Sequence, residues 1–248
     1  MISAKVVLFD LGNTLFHDNS ASWPGVYKRA EAALWQVLSA AGVRIAPSVL
    51  YGGQGTLLAY YYELRGEGLT EPGTFNVLKE LLASRGEVQP DSTVERALRA
   101  MYAVTQRNWR LEGDARRTVR TLLHRGFRLG AVSNGSDDRN ALELLDAARL
   151  RDSFEVIITS AAHGHRKPDA SIFQAALEHF QVPATKAVMI GDSYQADILG
   201  AHGVGMHAIW ITRRAQPLPP TAQILPEATV RTLRELPDLL VRPPAGEH

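Results

Sequence analysis

The segment KVVLFDLGNTL at residues 5–15 most constrains the fold of this chain. It contains four consecutive apolar residues from Val6 to Phe9, and a short run of this kind favours a strand buried on both faces of a sheet. The run ends at Asp10, which is followed by the turn-forming residues Gly12 and Asn13. Open α/β sheets bind ligands at the carboxyl ends of their strands, so Asp10 is a candidate functional residue.

Composition limits what this strand can belong to. The chain has 248 residues, 45% of them apolar, which is enough for a sizeable core. A formal net charge of +1 with interspersed acids and bases predicts no nucleic-acid partner. The absence of cysteine from the sequence excludes disulfide bonds, a thiolate nucleophile and sulfur-ligated metals. No secretory-type leader and no apolar run near the ~18 residues of a membrane span are visible, so we expect a cytoplasmic protein without a membrane partner.

Residues 16–110 are dominated by helix formers, and strand-like alternation is scarce there. Apolar residues recur at helical spacing, as at Leu78, Leu81 and Leu82. This pattern predicts helices at residues 27–41, 56–64, 74–84 and 92–109. We therefore expect an inserted α-helical domain at residues 16–110, and a core domain formed by residues 1–15 and 111–248.

A tyrosine-rich stretch inside the helical region allows two interpretations. Tyr51 opens the sequence YGGQGT, and Tyr60, Tyr61 and Tyr62 follow it. These side chains either line a substrate pocket or belong to a loop followed by a partly buried helix, and we favour the second interpretation. The glycines do not follow a predicted strand, which makes them a poor dinucleotide-binding loop.

From about residue 112 the pattern alternates between helices and strands. Strands are predicted at residues 127–132, 154–159, 187–190 and 207–211, and helices at 114–125, 138–148, 171–180 and 194–201. A last packing segment is expected at residues 230–241. Repeated βα units of this kind predict a Rossmann-like α/β core with a mostly parallel sheet and right-handed crossovers.

Four places in this core carry polar groups that a purely structural core would not need. Besides Asp10, they are Ser133-Asn134, Lys167-Pro168-Asp169, and the segment GDSYQAD at residues 191–197. Each except the lysine directly follows an apolar strand, so all can meet at one edge of the sheet. Two carboxylates there, Asp10 and Asp192, would repel each other unless a cation or a lysine intervenes. Mg²⁺ meets this need, because it binds a couple of carboxylates together with carbonyl and water oxygens.

These four motifs, in this order, resemble those of the haloacid dehalogenase (HAD) superfamily, and the helical insert resembles its type C1 cap. The resemblance covers essentially the whole chain. It implies that Asp10 is a nucleophile that forms an aspartyl-phosphate, and that Asp10, the carbonyl of Gly12 and Asp192 hold Mg²⁺. It further implies that Asp197 is a secondary acid near the metal or the lysine. The residues that would hold or orient the phosphoryl group are Thr14, Ser133, Asn134 and Lys167.

Gly12 departs from the family pattern. Phosphatases of the superfamily usually carry a second aspartate two residues after the nucleophile, which protonates the leaving oxygen and then activates water. Glycine cannot transfer protons, and general acid–base help typically contributes about 10²- to 10⁴-fold in rate. The sequence therefore predicts a slow enzyme or one restricted to good leaving groups, unless His17 or Asp18 substitutes.

The resemblance favours a Mg²⁺-dependent hydrolase of small phosphorylated metabolites, acting as a monomer or homodimer. An alternative is a HAD protein that binds a phosphorylated ligand or a partner protein with little turnover. Another is a 2-haloacid dehalogenase, since these enzymes also lack the second aspartate, although they work without metal and generally lack the fourth motif. The last is a C–P hydrolase, which needs a cap lysine, and only Lys28 and Lys79 lie in the cap. We expect cap closure on hinges at residues 16–19 and 109–113.

Overall fold

A six-stranded, fully parallel sheet lies at the centre of the computed structural model, which describes residues 1–50 and 57–243. The strands of the described chain are β1 (Ile2–Ser3), β2 (Val6–Phe9), β3 (Phe16–Asp18), β4 (Trp109–Leu111), β5 (Arg128–Ser133), β6 (Val156–Thr159), β7 (Ala187–Gly191), β8 (His207–Ile211), β9 (Ala228–Val230) and β10 (Leu240–Val241). The order in the central sheet is β6-β5-β2-β7-β8-β9. The first strand predicted from the sequence thus occupies the middle of the sheet.

The described residues also form α-helices. They are α1 (Trp23–Ala40), α2 (Leu57–Arg65), α3 (Thr74–Ala83), α4 (Asp91–Gln106), α5 (Ala115–His124), α6 (Asp138–Ala147), α7 (Ser160–His163), α8 (Ala170–Phe180), α9 (Gly200–Gly203) and α10 (Leu236–Leu239). None of the helices within residues 1–50 and 57–243 is long and apolar enough to cross a membrane.

Strand β2 is buried along its whole length because both of its faces are covered. Val7 and Phe9 belong to an apolar cluster that also contains Val119 of α5. Leu8 points to the opposite face and belongs to a second cluster with Phe173 of α8. Successive side chains of a strand face opposite sides of the sheet, so a continuous apolar run is what a two-sided core requires. The predicted α/β architecture is confirmed.

The helices of the insert have an apolar cluster of their own. Leu34 and Leu38 of α1 pack there with Leu78 of α3 and Leu98 of α4. This cluster supports the division of the chain into residues 16–110 and the remaining core, although the boundaries stay a prediction.

The chain enters and leaves the insert through a two-stranded antiparallel ribbon. Phe16 pairs with Leu111 and Asp18 pairs with Trp109, joining β3 to β4. The predicted helix at residues 92–109 is wrong at its end, because α4 stops at Gln106 and residues 109–111 are β4. Pairing with β3, which was not predicted, overrides the helical pattern at this point.

Other differences concern the ends and the type of single elements. Helix α1 begins at Trp23, earlier than predicted, because the hydroxyl of Ser22 accepts a hydrogen bond from Gly25 N and Pro24 lies in the first turn. The predicted helix at residues 194–201 is instead a π-helical segment, Tyr194–Leu199, followed by α9. A π-helical turn is uncommon and often accompanies a functional site.

Candidate active site

Lys167 lies at the centre of the polar groups that gather at the carboxyl edge of the sheet. Its Nζ is 2.7 Å from Asp10 Oδ1, 2.6 Å from Asp197 Oδ1 and 2.7 Å from the carbonyl oxygen of Val132. Lys167 is 2% exposed and Asp197 is 1% exposed. A buried ammonium is tolerated when it is paired and its three donors are used, and both conditions are met here.

The loop that follows β5 holds the lysine in place. Asn134 Nδ2 donates to the carbonyl of Lys167 at 2.9 Å, and Lys167 N donates to Asn134 Oδ1 at 2.7 Å. The side-chain amide of Asn134 is therefore used by the backbone of Lys167. Ser133, the last residue of β5, is 7% exposed and lies beside this contact.

One further carboxylate, that of Asp192, completes the polar cluster. Carboxylate oxygens of Asp10, Asp192 and Asp197 lie within 4.8 Å of one another. Asp197 Oδ2 accepts a hydrogen bond from Ser193 N at 3.0 Å, and Trp210 Nε1 donates to the carbonyl of Asp192 at 2.8 Å. The contribution of Trp210 could not be found from the sequence, because its neighbours on β8 form an ordinary buried strand.

Gly191 makes the close approach of Asp197 possible. A Cβ at position 191 would lie 2.1 Å from Asp197 Oδ2. No side chain fits at such a distance, so a residue without a Cβ is needed between the end of β7 and the π-helical segment.

Burial and mutual repulsion disfavour the charged forms of Asp10 and Asp192. Burial raises the pKa of Asp10 to about 6, against the lowering effect of Lys167 and with a further rise from Asp197. Burial raises the pKa of Asp192 to about 7, and the charges of Asp10 and Asp197 add to this rise. Burial disfavours the ammonium of Lys167, but the neighbouring carboxylates more than compensate and raise its pKa above the ordinary value. A bound cation would relieve the repulsion that remains at Asp192.

The loop at residues 10–15, which carries the predicted nucleophile Asp10 and is called the nucleophile loop below, turns sharply after Asp10. Asn13 has a φ of 56°, which asparagine tolerates better than most residues. The φ of Gly12 lies outside the left-handed region, and a Cβ there would be 3.8 Å from Trp109 Cη2. Thr14 is 1% exposed, and its Oγ1 has no hydrogen-bond partner within the part of the chain that the structure describes.

The two residues considered as substitutes for the missing acid have different surroundings. His17 Nδ1 lies 2.9 Å from Glu112 Oε1, and His17 does not line the cavity described below. Asp18 lines that cavity, and its carboxylate accepts hydrogen bonds from Ser20 N at 2.6 Å and Ser20 Oγ at 3.1 Å. Asp18 is therefore the better placed of the two.

A cavity of about 600 Å³ separates the nucleophile loop from the helical insert. Gly12, Ser133 and Asn134 contribute to its core side. The residues that line it from the insert and the ribbon include Trp23, Tyr27, Glu31, Tyr61, Tyr62, Arg65, Tyr102 and Trp109. Most of these were not predicted from the sequence, because they are scattered over several elements with ordinary helical patterns.

The tyrosines of the tyrosine-rich stretch differ in whether they line the cavity. Tyr61 and Tyr62 lie on α2 and line the cavity, whereas Tyr60 donates its hydroxyl to Glu80 at 3.0 Å and does not. The preceding stretch of residues 51–56 lies outside the described residues. Helix α2 thus combines both interpretations, since it is partly buried and also contributes to a pocket.

The cap lysines do not occupy the positions that a Schiff-base mechanism requires. Lys79 Nζ lies 2.7 Å from Asp91 Oδ1 in an exposed ion pair. Neither Lys79 nor Lys28 is among the described residues that line the cavity. This placement argues against a C–P hydrolase.

A parallel sheet with an aspartate, a lysine and an acidic pair at its carboxyl edge is an arrangement typical of α/β enzymes. A sequence model of the haloacid dehalogenase-like hydrolases matches residues 4–205. The chain belongs to this family.

Several relatives have been named for an activity. The chain is 29% identical over 217 residues to a glyceraldehyde 3-phosphate phosphatase of Methanothermobacter thermautotrophicus, covering 84% of this chain and 85% of that protein. It is 32% identical over 141 residues to a phosphoserine phosphatase of Thermus thermophilus, covering 57% and 55%. It is 39% identical over 115 residues to the bovine haloacid dehalogenase-like hydrolase domain-containing protein 3, covering 46% of this chain and 45% of that protein. The chain thus spans about half the length of the last two of these relatives.

Solved structures show the same fold. A 2-haloacid dehalogenase from Pseudomonas syringae pv. Tomato DC3000 superposes with a TM-score of 0.68 at 25% identity, covering 96% of this chain and 98% of that chain. A HAD phosphatase from Thermococcus onnurineus superposes with a TM-score of 0.58 at 22% identity, covering 96% and 97%. Because both chemistries occur on this fold, the choice between them depends on the residues of the site.

Proposed function

We propose that this chain is a Mg²⁺-dependent phosphomonoester hydrolase that acts on small phosphorylated compounds through an aspartyl-phosphate at Asp10. The observation that carries the proposal is the buried cluster in which Lys167 bridges Asp10 and Asp197 while Asp192 lies beside them. The matching phosphatases among the relatives support it.

The donor set fits a hard divalent cation. Asp10, Asp192 and the carbonyl of Gly12 would hold Mg²⁺, because Asp197 already uses one oxygen for Lys167 and the other for Ser193 N. When bound, Mg²⁺ would offset the negative charge of the carboxylates and of the phosphoryl oxygens. A dehalogenase has less use for such a cluster, since attack of a carboxylate on carbon requires no cation.

Lys167 fixes the nucleophile. Its Nζ donates a hydrogen bond to Oδ1 of Asp10, so Oδ2 is the oxygen that we propose to attack phosphorus. The bond from phosphorus to Oδ2 forms as the ester bond breaks, and the leaving oxygen takes a proton from water, since position 12 carries no acid. Water then attacks the phosphorus of the acyl phosphate, which releases inorganic phosphate and restores the carboxylate.

Two groups of the chain hold the phosphoryl group in this scheme. Ser133 and Asn134 line the cavity next to the nucleophile loop, and we assign this role to the hydroxyl of Ser133 and the backbone of Asn134. Thr14 has an unpaired hydroxyl that would orient the phosphate or the loop. Since the side-chain amide of Asn134 already binds Lys167, we assign it the positioning of the lysine.

Calorimetric titration with Mg²⁺ combined with an assay of phosphate release tests the proposal. Asp10→Asn and Asp192→Asn should each weaken Mg²⁺ binding and abolish release, whereas the exposed-site variant Asp91→Asn should change neither. Unchanged Mg²⁺ affinity in both site variants would remove the metal from the proposal. Hydrolysis of a 2-haloacid without Mg²⁺, and of no phosphate ester with it, would show that Asp10 attacks carbon. Binding of phosphate esters without release would indicate a ligand-binding protein.

A further inference from the structure

Aromatic side chains are concentrated around the cavity between the insert and the core. The sequence contains four tryptophans and seven tyrosines. Among the described residues, Trp23 and Trp109 line the cavity together with Tyr27, Tyr61, Tyr62 and Tyr102. So high a share at one cavity is unexpected for residues that serve only to fill a core, and it gives the cavity a largely apolar wall with many ring faces and edges.

The aromatic wall begins next to the reaction centre. Trp109 Cη2 would be 3.8 Å from a Cβ at Gly12, two residues after the nucleophile. The ring centroids of Trp109 and Trp23 are 6.0 Å apart, and those of Trp23 and Tyr27 are 5.1 Å apart. The organic group of a phosphate ester bound at Asp10 would therefore contact these aromatic rings directly beyond the nucleophile loop.

Three polar groups of the wall are already used within the protein, whereas Arg65 Nε has no hydrogen-bond partner among the described residues. The hydroxyl of Tyr61 donates to Glu71 Oε1 at 2.7 Å, and that of Tyr102 donates to Thr74 Oγ1 at 2.9 Å. The carboxylate of Asp18 accepts from Ser20. A polyhydroxylated sugar would lose hydrogen bonds to water without full replacement, and such losses are costly. A flat ring needs only surfaces to pack against, which the wall supplies.

The absence of an acid at Gly12 also favours compounds with an aromatic ring. Without an acid at this position, a leaving group that carries its own negative charge well has the advantage. A phenolic oxygen does so far better than the alkoxide of a sugar or of serine. We infer that the cavity binds a flat aromatic ring bonded directly to the ester oxygen, which makes aryl phosphates the preferred substrates. This inference rests on the proposed function for turnover, but ring binding can be measured without it.

Two non-hydrolysable probes separate ring recognition from chemistry. Benzylphosphonate and cyclohexylmethylphosphonate have similar size and the same charged group, but only the first is aromatic. Calorimetry in the presence of Mg²⁺ should show benzylphosphonate binding about three- to tenfold more tightly, the range expected for an aromatic contact. Tyr27→Leu should reduce this preference to near unity. Tyr62→Leu, at a side chain that is 53% exposed, should reduce it without risk to folding.

Tyr60→Leu is the matched control. Tyr60 lies on the same helix as Tyr62 but bonds Glu80 and does not line the cavity, so this variant should keep the wild-type preference. Equal affinity of the two phosphonates for the wild-type chain would overturn the inference, as would a preference that survives both Tyr27→Leu and Tyr62→Leu.

Turnover of phenyl phosphate is measured alongside the binding experiment. A ring preference without release of phosphate from phenyl phosphate leaves the ring site in place and contradicts the proposed function. Release of phosphate without a ring preference supports the proposed function and contradicts the ring site. Comparison with the phosphate ester of an acidic fluoroalcohol, whose leaving oxygen is about as stable as phenolate, removes the effect of leaving-group chemistry. The ratio of kcat/KM between these two esters should favour phenyl phosphate and fall in Tyr27→Leu.

Discussion

Restoring an acid at position 12 is the most direct test of the chemistry proposed for this site. The backbone permits Gly12→Asp, because the φ of Gly12 is outside the left-handed region. Its Cβ would lie 3.8 Å from Trp109 Cη2, an ordinary van der Waals contact. The new carboxyl group must share its space with the indole ring, so we expect it to reach the leaving oxygen in only part of the molecules.

The expected gain follows from that restriction. A well-placed general acid contributes about 10²- to 10⁴-fold, and we expect the lower limit, about 10²-fold, in kcat/KM for an alkyl phosphate. This corresponds to about 2.7 kcal/mol of transition-state stabilisation. The gain for phenyl phosphate should be below about tenfold, because its leaving oxygen needs little protonation.

The assay compares release of phosphate from an alkyl and an aryl ester by wild type, Gly12→Asp and Gly12→Asn. The asparagine variant has nearly the same shape but no transferable proton, so it should show no gain. Equal gains in both variants would mean that side-chain volume, not proton transfer, causes the effect. Similar wild-type rates for the two esters would refute the reasoning, since another residue would then act as the acid. Asp18→Asn would identify that residue.

Three further predictions concern charge, pH and motion. Lys167→Met leaves two buried carboxylates without their partner, which costs about 3–5 kcal/mol, so we expect Tm at pH 8 to fall by about 6–20 °C in scanning calorimetry. Burial raises the pKa of Glu31 to about 7. The stabilisation from neutral Glu31 is complete below about pH 4 and is lost as pH rises through about 7, so Glu31→Gln should reduce the difference in unfolding free energy between pH 5 and pH 8. Hydrogen exchange should show residues 16–19 and 109–113 gaining protection when orthovanadate is added, and an unchanged profile would contradict closure of the cap.

The core of the fold could be predicted because its signals are local. The run from Val6 to Phe9 is buried on both faces, and such a run has few alternatives to a central parallel strand. Asp10 and Asp192 directly follow strands and Ser133 is the last residue of one, so parallel topology alone brings them to one edge. Lys167 lies at this edge as well and contacts Asp10, and its predicted role in holding the phosphoryl group stays a prediction.

The ribbon and the cavity wall could not be predicted because their signals are not local. Strand β3 has three residues, and its partner β4 lies about ninety residues further along the chain. Neither segment has a periodicity long enough to indicate a strand. Trp23 and Tyr27 occupy an ordinary amphipathic helix, and nothing in the pattern of α1 shows that these rings face a cavity. Such placement depends on how the insert docks, which sequence patterns do not determine.

The absence of an acid at Gly12 and the position of Trp109 belong to one arrangement. Trp109 is paired with Asp18 across the ribbon, and both residues line the cavity. The ribbon therefore brings a ring against the nucleophile loop and, from the opposite strand, a carboxylate into the same cavity. A larger side chain at position 12 would compete with the indole ring for the space next to the leaving group. In this arrangement the glycine leaves space for an aromatic leaving group. Aryl phosphates, which would fill this space, are also the substrates whose leaving oxygen least needs a proton, so the missing acid costs them least.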